Sequence, residues 1–576
     1  MGTKGREYRW TPAEPVDDAA AQRLSREINV PEPLARVLID RGIDSYDAAK
    51  VYFRPTVESL HDPFLLDGMA AAVERLLRAL QEHEHILVFG DYDVDGTSAA
   101  AMLYLFLRTL EGEVEYYIPD RIREGYGISR ESIERAHQRG VRVFLSVDCG
   151  IGAVEEAALA KSLGLDVIIC DHHEPGPLLP DAVAVLDPLK PGDTYPFKAL
   201  CGCGVGFKLI QALARTLGRE QDVHAYLDFV AMASAADIVP LTDENRILTR
   251  LGLEIINEHP RPGTKALIAA AGLRSKEIGT GQIIFVLGPR INAAGRLGDA
   301  TRAVRLLTSA DPEEASQLAV ELEEENRNRR KIDEDTFASA QLLAESTFDL
   351  ENDAAIVLHH ESWHPGVVGI VASRMVEKYY KPSIMMATID GVARGSARSV
   401  NGFDIYEALR RSADTVIQFG GHKYAAGVTV DLARIDEFRE TFLHNVRDMM
   451  TDELMKPELR IDTEISLADI TPRFMRILKE LAPFGPGNPV PVFLCRELEV
   501  VGSPRIVGKN HLKFRVRQQG AVIDAIGFGL GDLLDRVPAG RTGLDCVVTV
   551  EENTWVSTSG TRAGNGLPQL KVKDLR

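Results

Sequence analysis

Three aspartates, Asp91, Asp93 and Asp95, stand at alternating positions in the stretch FGDYDVDGTSAA (89–100). Carboxylates crowded in this way repel one another unless a cation neutralises them, so the pattern asks for metal. Further segments carry residues of the same kind. Asp148 ends VRVFLSVD, Asp171, His172 and His173 follow DVIIC, and Asp237 stands in the otherwise apolar FVAMASAADIVPL. A lone buried Asp or His is most often a cap or an ion-pair partner; the convergence of several such segments is what points to a site. Carboxylates and imidazole without thiolate suit Mn2+ or Mg2+ better than a structural zinc. Two such ions close together activate a water and neutralise charge on phosphorus, so the chemistry expected is phosphodiester hydrolysis. No separate nucleophile is then required, and neither a G-x-S-x-G elbow nor a Walker loop occurs. An EF-hand would also run Asp-x-Asp-x-Asp-Gly, but its twelfth position counted from Asp91 is Met102 instead of Glu. CGCGVGFK (201–208) is glycine-rich without P-loop spacing and reads as helix–sheet packing.

The elements around these residues alternate. HILVFG, VEYYIP, VRVFLSVD, DVIICD and AVAVLDP are short apolar runs separated by helical stretches, including SAAAMLYLFLRTL and helices from about Ser129 and Ala153. That alternation predicts a mostly parallel sheet covered on both faces. In an open parallel sheet, ligands bind beyond the carboxyl ends of the strands, which is where the aspartates and histidines fall. Residues 311–346 are charged, with acids and bases three and four apart, and predict a long solvated helix joining two halves. A second βα pattern starts at AAIVLHHESWHPG, and the last stretch reads as a small all-β barrel of short strands. Phe484, Phe493, Phe514, Phe528 and Trp555 fall in that last part, and most are expected to fill its core. The boundaries predicted are an N-terminal segment to 65, a catalytic α/β domain over 66–262, a helical connector over 263–349, a second α/β domain over 350–452 and the barrel over 453–576.

A chain of 576 residues is too long for one core. With 66 basic and 85 acidic residues its formal charge is −19, which argues against a wholesale electrostatic grip on nucleic acid while leaving room for a local basic groove. No apolar window approaches a membrane span, the N-terminus lacks the apolar stretch of a signal peptide, and six cysteines in so long a chain form no disulfide framework. A cytoplasmic location without membrane contact is expected.

DYDVDGT, VDCGI, the DHH triplet at 171–173 and SAADIVPL, in that order and at that spacing, resemble the motifs of the DHH phosphoesterase superfamily. IPDRIREGYGIS, GPRINAAGRLGDA, SWHPGVVGIVASR, GSARSVNGFDI and GGHKYAAG narrow the resemblance to its RecJ branch of single-stranded-DNA-specific exonucleases. The resemblance implies a DHH domain, a DHH-associated domain and a terminal OB-type barrel. It implies two Mn2+ or Mg2+ ions held by Asp91, Asp93, Asp95, Asp148, His172 and Asp237, with Asp148 bridging. Asp171 would orient the histidines from behind, and His173 would contact the scissile phosphate. Phe89 stands where many superfamily members carry His, and Asp91 then supplies that ligand. Ser396, Arg398, Gly420, Gly421 and His422 would hold the strand opposite the metals, and Arg290, Asn292 and Arg296 would lie where it threads between the halves. Glycines that admit a backbone closely and arginines that grip phosphate fit that role. The activity implied is 5′-to-3′ hydrolysis of single-stranded DNA to 5′-mononucleotides in DNA repair and recombination. A single-strand-binding protein and a helicase are the partners the resemblance implies. The alternatives are a DHH enzyme acting on short oligonucleotides, cyclic dinucleotides or pyrophosphate, and a RecJ-like scaffold without activity.

Overall fold

The computed structural model describes residues 7–121, 123–274, 276–553 and 566–576. The apolar runs of the first half become five strands, β1 (Ile86–Gly90), β2 (Val114–Tyr117), β3 (Val143–Val147), β4 (Asp166–Cys170) and β5 (Ala184–Leu186). They form one parallel sheet in the order β2-β1-β3-β4-β5. β1 and β3 are buried at every position, as strands covered on both faces must be. Their side chains alternate between two cores. Ile86, Val88, Val143 and Leu145 pack into a large cluster on one face, and Leu87, Phe89 and Phe144 into a smaller one on the other. The strand order reverses between β1 and β3, so the carboxyl ends of those two strands open the crevice in which an α/β sheet binds its ligand.

The catalytic unit comprises Asp47–Arg327 and Leu481–Val490. The predicted boundary at 262 does not divide it, because Leu267, Ile291 and Leu306 bury themselves in the same cluster as β1 and β3. The charged stretch is one helix, Pro312–Thr347, so the expected connector is a layer of helices on the catalytic core followed by that helix. The N-terminal segment is likewise divided, since residues from Asp47 onward belong to the catalytic unit. Residues 481–490 return to it: Leu241 N donates to Pro486 O at 2.7 Å. Arg246 lies 3.6 Å over the Tyr52 ring and donates to the carbonyls of Leu481 and Ala482, both at 3.0 Å.

The other unit contains a second sheet, with strands β6 (Ile356–His360), β7 (Ser383–Ile389), β8 (Val392–Arg398), β9 (Gln418–His422) and β10 (Ala425–Asp431) in the order β9-β10-β8-β7-β6. Only β6 and β7 are parallel; the rest are antiparallel. Helix Pro365–Tyr379 covers one face through Val368, Val371 and Met375, and helix Ile435–Met449 the other through Phe438 and Phe442. In the same unit the C-terminal strands are β11 (Thr463–Glu464), β12 (Phe493–Val507), β13 (His511–Gln518), β14 (Ala521–Gly527), β15 (Leu544–Glu552) and β16 (Pro568–Leu575). They run β11-β12-β13-β14-β16-β15, and β12 also pairs with β15, which closes the barrel. The region is not purely β, because helix Pro472–Glu480 precedes β12. Phe493 and Phe514 fill the barrel core as expected, Phe484 belongs to the returning segment, and Phe528 is 50% exposed. Trp555 lies outside the described residues. Among the described residues no helix is long and apolar enough to cross a membrane.

Candidate metal centre

Asp91 follows directly on β1, and Asp93 caps helix Val94–Thr109, accepting from the backbone of Asp95 at 2.9 Å and Gly96 at 3.2 Å. The chain turns so tightly here that a Cβ at Gly96 would come within 2.5 Å of the Asp91 backbone. Asp95 points into the N-terminus of helix Gly202–Thr216, where Gly202 N and Cys203 N each donate to it at 2.7 Å. That is the role of CGCGVGFK: its helix end, with free N–H groups and a favourable dipole, fixes a carboxylate. Gly202 also makes room, since a Cβ there would sit 2.5 Å from Asp148 Oδ1. Asp148 follows β3 with φ +63°, a backbone conformation uncommon outside glycine and concentrated at functional sites. Asp237 is the C-cap of helix Leu227–Ala236.

These side chains converge. The ligand atoms of Asp91, Asp93 and Asp148 lie within 4.8 Å of one another, and so do those of Asp95, His172 and Asp237. His172 Nε2 links the two groups, 3.1 Å from Asp148 Oδ1 and 3.8 Å from carboxylate oxygens of Asp95 and Asp237. Asp148 Oδ1 and Asp91 Oδ1 are buried and make no hydrogen bond. A buried carboxylate oxygen without a partner costs free energy. Two of them facing several more carboxylates and a neutral imidazole are the donor set that Mn2+ or Mg2+ takes. The electrostatics agree. Burial and the charge of Asp93 hold the Asp91 carboxyl well above its usual range. Burial and the charges of Asp95 and Asp93 do the same for Asp148, and burial with the charge of Asp93 brings Asp95 to about 7. Burial, and then the charge of His173, lowers His172 to about 4, leaving a neutral ring, the form in which an imidazole can ligate a metal.

Asp171 and His173 form a separate pair. Asp171 accepts from Ile151 N and His172 N at 2.8 Å and lies 2.7 Å from His173 Nδ1. Burial opposes both charges, but the hydrogen bond and ion pair win: Asp171 stays below its usual range and His173 rises to about 9. The imidazolium is therefore cationic at neutral pH, with Nε2 directed away from its anchor.

Some neighbours carry no sequence signal of their own. Tyr126 OH lies 3.2 Å from the Asp148 carbonyl and 3.2 Å from His173 Nε2. Arg121 stacks 4.8 Å from the Tyr92 ring centroid. With Asp91, Asp93, Asn292 and Arg296 these residues line a cavity of about 210 Å³. The only signal was their place in IPDRIREGYGIS. Returning Gly485 and Gly487 press on Leu241 and Thr242, just past Asp237, and no pattern of periodicity reveals that contact. Among the residues expected to meet a strand, Asn292 Oδ1 accepts from Val94 N at 3.0 Å, supporting the helix that Asp93 caps. Arg290 is only 4% exposed and ion-pairs with Glu323 at 2.6 Å. Its guanidinium also donates to the Val286 carbonyl at 2.5 Å, so in this structure it is engaged within the helical layer.

The second expected group assembles in the other unit. Gly420, Gly427 and Ser396 form one cross-strand row, and His422, Ala425 and Arg398 the next but one. The glycines leave the sheet surface bare beside Ser396, and Gly421, at φ +141°, has no room for a Cβ against Ala425 and Ala426. Ser396 Oγ and Arg398 Nη2 lie over Gly369 in helix Pro365–Tyr379.

A parallel sheet whose switch point gathers aspartates and a DHH triplet into overlapping clusters of candidate metal ligands, followed by a glycine-bearing second sheet, defines a DHH-type phosphoesterase. Comparison with known proteins agrees: residues 85–234 match the DHH family, N-terminal domain, residues 352–448 the DHHA1 domain and residues 461–574 the RecJ OB domain. The chain belongs to the RecJ family. It is 37% identical over 571 residues to the single-stranded-DNA-specific exonuclease RecJ of Bacillus subtilis, covering 98% of this chain and 70% of that protein. It is 35% identical to the Escherichia coli protein of the same name, covering 88% and 90%. The crystal structure of RecJ in complex with Mn2+ from Thermus thermophilus superposes with a TM-score of 0.84 at 30% identity, covering 100% of this chain and 80% of that one. The Mg2+ complex from the same organism gives 0.78 at 29% identity, covering 99% and 78%.

Proposed function

We propose that this protein is a metal-dependent exonuclease that hydrolyses single-stranded DNA from the 5′ end to 5′-mononucleotides, acting in the cytoplasm in DNA repair and recombination. The observation that carries the reading is the pair of unpartnered buried oxygens on Asp91 and Asp148, set among four more ligand side chains. Asp91, Asp93 and Asp148 would hold one Mn2+ or Mg2+, and Asp95, His172, Asp237 and Asp148 a second. Bound there, the ions supply Lewis acidity that lowers the pKa of water and neutralises charge on the phosphoryl oxygens.

The chain's own residues do the rest. Gly202 N and Cys203 N fix the Asp95 carboxylate, and burial keeps His172 neutral with Nε2 toward the carboxylates. Asp171 holds the His173 ring, so that a cationic N–H at Nε2 is presented to the scissile phosphate, where it stabilises developing charge. Arg296 and Arg121, beside Asp91 and Asp93, receive phosphate. Ser396, Arg398 and the bare strand at Gly420 and Gly421, with His422, grip the strand's backbone. A single-strand-binding protein and a helicase are the partners the family membership suggests for an enzyme with this substrate. Every ligand position is filled, which disfavours the scaffold alternative.

The test is product analysis on 5′- and 3′-labelled single strands with Mn2+, Mg2+ or EDTA, beside a blunt duplex. Metal-dependent early release of labelled mononucleotide from the 5′ end, with duplex spared, is expected. Hydrolysis of dinucleotides or pyrophosphate without attack on long strands would move the substrate elsewhere in the superfamily.

A further inference from the structure

Two apolar side chains beside the metal centre stand where the backbone must leave its ordinary conformation to put them. Ile238 follows Asp237 directly, just past the end of helix Leu227–Ala236, and takes φ +61°. That place after a helix is usually glycine's, and a β-branched residue there is an outlier that costs free energy. Burial does not offset the cost, because Ile238 is 56% exposed. Phe285 lies in Ile283–Leu287, a π-helical segment that leads into helix Gly288–Leu297. Such segments are rare and gather at functional sites. Ile283 and Leu287 turn into the core, whereas Phe285 is 75% exposed, the most open large apolar side chain among the described residues. Leu217, 42% exposed at φ −91°, is by contrast an ordinary surface leucine at a helix end.

The two residues belong to one place. The π-helical segment packs on helix Leu227–Ala236. A Cβ at Gly288, the residue after that segment, would lie 3.6 Å from both Ala236 and Val94. Ala236 adjoins Asp237, and Val94 stands between Asp93 and Asp95, so this junction presses on both groups of candidate ligands. One turn further, Asn292 accepts from Val94 N at 3.0 Å, and a Cβ at Gly295 would lie 2.5 Å from the Tyr92 carbonyl. The helix that begins beside Phe285 is thus laid across the aspartate loop, and Phe285 and Ile238 both flank its Asp237 end. A phosphate drawn to the metals brings with it the two bases joined through it, the largest apolar faces that a nucleotide offers. An open ring and a branched aliphatic chain at that edge are surfaces on which bases pack without regard to sequence.

We infer that Phe285 and Ile238 form an apolar rim that packs against the bases flanking the scissile phosphate and so positions that phosphate over the metals. The inference rests on the single-strand reading above and adds base contacts at the metal centre to the phosphate contacts proposed there. It also accounts for the two departures from ordinary backbone, since each holds an apolar side chain out of the core and beside Asp237.

The test uses the full chain as wild type, Phe285→Ala, Phe285→Tyr, Ile238→Gly and the control Leu217→Ala. Single-turnover release of the first nucleotide in Mn2+ is compared on an ordinary single strand and on one whose first two residues are abasic. Loss of the bases should slow wild type about 5-fold or more. Phe285→Ala should slow the ordinary strand by a similar factor and lose its sensitivity to the abasic residues, because the contact is already gone. Phe285→Tyr, which keeps the ring, and Leu217→Ala should follow wild type on both strands. Ile238→Gly should slow the ordinary strand while its Tm in EDTA rises by about 2 °C, as the backbone is relieved. A wild-type rate in Phe285→Ala, or equal slowing by abasic residues in wild type and Phe285→Ala, overturns the base contact. A lower Tm with unchanged rates in Ile238→Gly shows that Ile238 serves the fold and overturns its part in the rim. If the wild-type chain releases no nucleotide from any single strand, the functional reading itself falls, and that pattern differs from the others.

Discussion

Asp148→Asn removes one charge from the centre of the site while keeping its shape. The consequence for stability can be worked out. Two like charges at 4.8 Å, the outer limit within the Asp91–Asp93–Asp148 group, repel by about 3.5 kcal/mol at an effective dielectric of 20. The carboxyls relieve part of this by holding protons, so about 1–2 kcal/mol is a reasonable net cost in metal-free protein at about pH 8. No ion pair is lost in exchange, because His172, the close neighbour of Asp148 Oδ1, is neutral well above its pKa of about 4. Metal-free Asp148→Asn should therefore unfold later than wild type, by about 2–8 °C in the transition that belongs to the catalytic unit. The effect has a sign in pH as well. Asp95 rises from the ordinary 3.8 to about 7 in the folded chain. The native state then holds a proton that the unfolded chain has lost across that interval, and metal-free stability falls as pH rises through it. The gain from Asp148→Asn should accordingly be larger at about pH 8 than at about pH 6. With Mn2+ the order reverses. Wild type gains about 2.7 kcal/mol at a hundred times Kd, and the variant, lacking the carboxylate proposed to serve both ions, gains little and hydrolyses nothing measurable. Calorimetry at both pH values, with EDTA and with Mn2+, reads all of this. A variant less stable than wild type in EDTA at about pH 8, or one that responds to Mn2+ as wild type does, would refute the argument from crowded carboxylates.

Gly202→Ala places a Cβ 2.5 Å from Asp148 Oδ1. It should weaken Mn2+ affinity, measured by titration of activity and of Tm, while the circular dichroism of the protein stays unchanged; unaltered Mn2+ affinity would show that Asp148 has room to move. Arg290→Ala removes the closer of the two arginines paired with Glu323, which keeps Arg327 at 3.1 Å, and should cost about 1–3 kcal/mol of stability. The salt dependence of strand binding should be untouched, and a shallower salt slope would return Arg290 to the strand contacts. Arg398→Ala should do the opposite. Strand binding should weaken and its dependence on log salt become shallower by about 0.7, with thermal stability close to wild type, and an unchanged slope would remove Arg398 from the phosphate contacts.

The cluster of acidic and imidazole side chains was legible in the sequence because those residues are of unusual type for their surroundings. Aspartates directly after apolar runs announce both the strand and the ligand, and the five strands begin within a residue or two of the expected places. Sequence alone does not show that Arg290, expected beside Asn292 and Arg296 to meet a strand, is buried and paired with Glu323 in the folded chain. Tyr126 and Arg121 were missed because their part in the site depends on a loop conformation that hydrophobic periodicity does not encode. The limits of the catalytic unit were hidden for a different reason. Helix Thr301–Thr308 has the amphipathic pattern of any surface helix, and nothing in the pattern says which core it covers. The return of 481–490 depends on hydrogen bonds from Arg246 and on Gly485 and Gly487, contacts more than two hundred residues apart in the chain.

That returning segment has a consequence for how the molecule is made. Synthesis runs from the N-terminus, and domains generally fold as units, N-terminal ones first. The strands and all the ligand-bearing loops are present once Asp237 has left the ribosome, yet the support behind Leu241 and Thr242 arrives only with Leu481–Val490. A nascent chain halted after the second sheet would carry every candidate metal ligand and still lack the segment that accepts a hydrogen bond from Leu241 N, four residues past Asp237. The catalytic unit is thus expected to be completed late, after most of the chain has been translated.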